Sequence, residues 1–109
     1  SPARTVTGFP VPIASLEDLA CMKLSAIAGR GAAKDFWDLD ELLRRGIAGG
    51  ELRALLELYQ RKFPTEDIGH VVRSLAYFAD ADAAPLPRGL TAGRWAEIKA
   101  ESANRVKKL

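Results

Sequence analysis

With 109 residues the chain has room for one domain or a large piece of one, and a hydrophobic share of 48% suffices for a core, which excludes a disordered tail. A formal charge of +2 does not by itself argue for nucleic acid, no apolar run approaches the ~20 residues of a membrane span, and no signal peptide opens the chain. The single cysteine, Cys21, excludes an internal disulfide, so the chain reads as a cytoplasmic protein with no membrane contact.

Residues 1–10 hold two prolines and a glycine without helical period, and they read as a tail or incoming arm. Ser1 stands where an initiator methionine would, as in a processed or trimmed chain. Val11-Pro12-Ile13-Ala14 reads as a short extended segment, an edge strand at most because of its proline. Ser15 then caps the first helix, with Asp18 three residues on completing the capping-box pattern. Leu16, Leu19, Ala20, Cys21, Leu24, Ile27 and Ala28 cover much of that helix, which makes it central, and it should stop near Gly29. Gly29 and Gly31 let the chain change direction.

The second helix begins near Ala33, buries Phe36, Leu39 and Leu43, and closes at Arg44-Arg45-Gly46, followed by a turn over 47–50. A third runs from about Glu51 to Phe63 with Leu52, Leu55, Leu56 and Tyr59 on one stripe, and Pro64 stops it. Thr65 caps a fourth helix carrying Ile68, Val71, Val72, Leu75 and Phe78. After a connector over 79–89, a last helix spans about Ala92 to Lys107, marked by Trp95, Ile98 and Val106. The fold class is therefore all-α: a small bundle of four to five helices over 15–109, preceded by an extended N-terminal arm over 1–14. Leu24, Phe36, Leu39, Leu55, Leu75 and Phe78 are expected in one core.

The stretch with chemical potential joins the first two helices. Lys23 rises from an apolar surround of Leu19, Ala20, Ala26 and Ile27, while Asp35 and Asp38 project from one face of the second helix. A snorkelling lysine and first-turn acids that stabilise a helix dipole by about 0.3–1 kcal/mol each would look the same. Asp38 sits beside Leu39 and Leu42, where a carboxylate wants a partner. His70 has no ligating neighbours, and Trp37 and Trp95 read as packing anchors.

The run K-L-x-A-I-x-x-R-G-x-x-K-D-F-x-D-L over 23–39 resembles two motifs of the abortive-infection AbiEii/AbiGii-type nucleotidyltransferase toxins. Residues 15–20, 75–82 and 95–99 extend the likeness in order. The glycine-rich turn and the D-x-D pair on strands with which such proteins begin are not found, so the chain resembles the C-terminal portion. The resemblance implies that Lys23 contacts nucleotide phosphate, that Arg30 and Lys34 neutralise phosphate or RNA backbone, and that Asp35 and Asp38 support catalysis. It implies that a complete enzyme transfers a nucleoside monophosphate from an NTP to RNA or protein with Mg2+. This chain alone would be inactive and hold no metal. Its expected partners are the missing N-terminal half, an antitoxin, an RNA acceptor, or a second copy through a face bearing Leu19 and Ile27. The alternative is a stand-alone helical module that binds a protein partner without catalysis.

Overall fold

A computed structural model describes residues 12–109 and contains five helices of seven residues or more among them. They are α1 (Ile13–Arg30), α2 (Ala33–Arg44), α3 (Leu52–Lys62), α4 (Ile68–Ser74) and α6 (Ala92–Lys107), with α5 (Ala79–Asp82) a single turn. The all-helical reading holds, and helix α6 has the boundaries expected. Helix α1 is the centre: α2, α3 and α4 all pack on it, and α6 lies against α2. Its inward residues Leu16, Ala20, Cys21, Leu24 and Ile27 are each no more than 3% exposed. Burial pushes the Cys21 thiol up, outweighing the pull of the Lys62 charge, so the thiol is held as an inert apolar group.

Three local expectations need correction. Helix α1 starts at Ile13, with Pro12 in extended conformation before it (φ −62°, ψ 149°), and Ser15 lies inside the first turn instead of capping it. Proline suits this place because the first amides of a helix lack intrahelical acceptors, and the Pro12 carbonyl takes the Ser15 and Leu16 amides. Ile13 and Ala14 are thus helical, whereas Val11 and the 1–10 arm lie outside the described residues. Helix α4 is capped by Asp67, whose carboxylate accepts the Gly69 and His70 amides, because Thr65 and Glu66 are spent in a turn after Phe63. That helix also ends at Ser74, four residues before Phe78, where the Ser74 hydroxyl donates to the His70 carbonyl at 2.8 Å.

The two hinge glycines serve different ends from those expected. Gly29 is helical, and Gly31 has an ordinary φ of −64°. What Gly31 supplies is room: a Cβ there would meet a Phe36 ring carbon at 2.9 Å. Close approach lets Phe36 reach the core, where its ring lies edge-on to Phe78 at 5.3 Å and tilted against Trp95 at 5.8 Å. All six expected core residues fall in the single apolar cluster, Phe78 as a partly buried member. The left-handed backbone is concentrated after α2, where Gly46 (φ 99°), Gly49 and Gly50 turn the chain toward α3.

Candidate functional site

Helices α1 and α2 cross so that their charged residues converge. The Lys23 ammonium lies 3.3 Å from Asp35 Oδ1 and 3.0 Å from Asp38 Oδ2. Lys34, one turn before Asp38, reaches its other oxygen at 3.0 Å and sits 5.8 Å from the Trp37 ring centre. Asp35 additionally accepts the Ala32 amide at 3.3 Å, which fixes the start of α2. Four of the five residues singled out in the sequence are therefore brought together. Arg30 is not: it lies on α1 two turns beyond Lys23, exposed and without an ion pair among the described residues.

The cluster is half-sheltered, its three central side chains being 19–30% exposed. Burial disfavours the Lys23 charge, but the bonds and attraction of Asp38 and then Asp35 outweigh it and hold its pKa above the usual lysine value. Asp38 shows the mirror image: burial opposes its charge, and Lys23 and Lys34 together hold it below the usual aspartate value. A lysine ammonium has three donors, and two of those of Lys23 are committed among the described residues.

The cluster does not fit a magnesium ion. Both carboxylates direct oxygens at Lys23, and no group of three or more acidic, histidine or cysteine side chains gathers around a common point among the described residues. The open face beside it carries Leu19, 37% exposed, and Met22, 62% exposed. Ile27 was expected on this face, but at 3% exposure it belongs to the apolar core.

A second charged cluster went unseen in the sequence. Asp40, 1% exposed, receives Arg44 Nε, Arg94 Nη2 and Arg105 Nη1, each at 2.9 Å. The Arg44 partnership is legible as an i, i+4 pair, but Arg94 and Arg105 come from α6 and carry no local signal. His70 has a structural duty: its Nε2–H donates to the Ala28 carbonyl at 2.7 Å, tying α4 to the last turn of α1. Trp95 anchors as expected, and its indole N–H donates to Asp82 at 2.8 Å. That bond first, and Lys99 second, hold the Asp82 carboxyl below the usual range.

No helix among the described residues is long and apolar enough to cross a membrane. Across residues 2–106 the chain matches the family model described as the nucleotidyl transferase AbiEii toxin of type IV toxin–antitoxin systems. It is similar to an uncharacterized protein of Aquifex aeolicus (strain VF5), aq_aa25, with 46% identity over 69 residues. Those residues are 63% of this chain and 32% of that protein, so the likeness spans about a third of the relative's length. No solved structure matches the chain.

Proposed function

Since the chain belongs to the AbiEii nucleotidyl transferase toxin family, we propose that it is the C-terminal helical part of such an enzyme and supplies part of its nucleotide site. The observation that carries this reading is the convergence of Lys23, Asp35 and Asp38 from two helices at a place still open to solvent. In this reading the third N–H of Lys23 and the guanidinium of Arg30, which makes no ion pair among the described residues, bind NTP phosphate. A compact ammonium on a packed helix and a planar guanidinium suit that task. Asp35 and Asp38 act on the transfer reaction by holding Lys23 charged and aimed; Lys34 trims the charge of Asp38.

Metal-assisted transfer to an acceptor, RNA or protein, needs carboxylates on a metal clamp, and the residues described do not form one. Mg2+ and its ligands therefore belong to the N-terminal half of the complete enzyme, and an antitoxin is the expected regulatory partner. The test is reconstitution with that half, in cis or in trans. Nucleotide transfer should appear, and Lys23→Ala should abolish it while circular dichroism stays unchanged. Full activity in the Lys23→Ala protein would refute the assignment.

A second reading is favoured by the exposed Leu19 and Met22 beside the cluster. Here the chain is an interaction module that docks a protein partner, and the charges merely lock α1 to α2. Under this reading reconstitution yields no transfer, and Met22→Asp abolishes partner binding.

A further inference from the structure

The Asp40 cluster has an unbalanced side. Three guanidiniums converge on one buried carboxylate, and two of them, Arg44 and Arg105, also line an open cavity of about 330 Å³ at the end of α2, the start of α3 and the end of α6. Arg53 and Lys108 complete its cationic lining, and Glu51 and Glu101 are its acidic members. None of these last four makes an ion pair among the described residues. Counted with Arg94 and Asp40, five cationic side chains face three carboxylate side chains, and with the terminal carboxylate of Leu109, which also lines the cavity, one positive charge is left in excess.

Donor supply points the same way. Arg105 is only 16% exposed and commits Nη1 to Asp40, and its remaining donors make no other ion pair among the described residues and are open to water. Arg44 commits Nε to the same carboxylate, lines the cavity, and is half exposed, so its two terminal nitrogens are not held by that contact. Asp40 therefore works as a mount that fixes two guanidinium forks while neutralising only part of their charge. Fixed forks match the oxygens of a phosphate group, and they lose little freedom on binding it. A volume of about 330 Å³ lies at the small end of the ~300–1,000 Å³ common for ligand sites. Arg44 lies six residues beyond Asp38, about 9 Å along α2, so this cavity is separate from the Lys23 cluster.

We propose that this cavity binds a phosphate-bearing anion, held by Arg53, Lys108 and the uncommitted donors of Arg44 and Arg105. The proposal does not depend on the nucleotidyl transferase reading of the Lys23 cluster. Nuclear magnetic resonance titration of the chain tests it, with inorganic phosphate, pyrophosphate and adenosine monophosphate as probes. Ionic strength is held constant with chloride, since salt alone screens surface charges. Saturable shifts should concentrate on the amides of 50–54 and on the Arg105 side chain. An Arg53→Ala/Lys108→Ala double variant, which leaves the Asp40 mount intact, should weaken binding about tenfold or more with an unchanged melting curve. Adenosine monophosphate binding at least as well as inorganic phosphate would assign a phosphate ester; pyrophosphate binding alone would assign the free anion. Shifts that are absent, unsaturable, centred on Lys23 and Arg30, or equal in the double variant would overturn the proposal.

Discussion

Removing the charge of Lys23 tests how firmly α1 and α2 are tied, and a double-mutant cycle with Lys23→Met and Asp38→Asn isolates the link. Methionine keeps the apolar stem, and asparagine keeps the shape of the aspartate. The pair is 3.0 Å long, with side chains 20% and 30% exposed. Fully exposed pairs contribute about 0.2–1 kcal/mol, and hydrogen bonds to charged groups in sheltered places about 1.5–3 kcal/mol. This pair lies between, so the expected coupling is about 1–2 kcal/mol, read from urea unfolding at low salt. Its pH dependence follows from both partners. The folded-state pKa of Asp38 is depressed, so its contribution is present above the unfolded value and fades as pH falls through the folded one. The folded-state pKa of Lys23 is raised, so its contribution is complete below the unfolded value and fades as pH rises through the folded one. Coupling should thus stay level across neutral pH and decline at both extremes. A coupling below about 0.3 kcal/mol at pH 7, or one that persists unchanged in strong acid, would refute the reasoning.

Phe36→Ala should cost about 3–5 kcal/mol, because the ring is 2% exposed and meets two other rings; the half-buried Phe78 should cost less on truncation, measured by the same unfolding experiment. Ile27→Asp puts a carboxylate into the core and should unfold the chain; a helical variant that only changes its sedimentation would restore Ile27 to the surface. Asp40→Asn leaves three arginines around a neutral amide and should cost about 3–5 kcal/mol, with a loss under about 1 kcal/mol counting against the buried clamp.

Helical period made most of the fold readable. The stripes of α2, α3 and α6 repeat at three and four residues, and Pro64 and Gly46 mark real stops. The start of α1 was misread because Ser15 has the residue types of a cap while Pro12 has the backbone, and only backbone geometry decides between them. The end of α4 differs because Phe78 keeps helical spacing with Leu75 yet reaches the core from the N-cap of α5. At the site, Lys23, Asp35 and Asp38 were legible as residues, since α1 and α2 are neighbours in sequence and a short corner brings them together. Asp40 was not, because two of its three partners lie 54 and 65 residues away and no local pattern joins them.

Those separations also impose an order in time. Synthesis at about 5–20 residues per second places several seconds between the emergence of Asp40 and that of Arg94. During that interval Arg44 is the only one of the three arginines yet made, and water is the remaining partner of the carboxylate. Burying it early would leave it underpaired, which opposes closure of that side of α2. Pairing of Asp40 is therefore complete only once α6 is present, and α6 is expected to act as the latch that seals that side of α2. A chain ended before Arg94 should accordingly remain open to protease within 40–50, and resistance there would show that α2 seals without its latch.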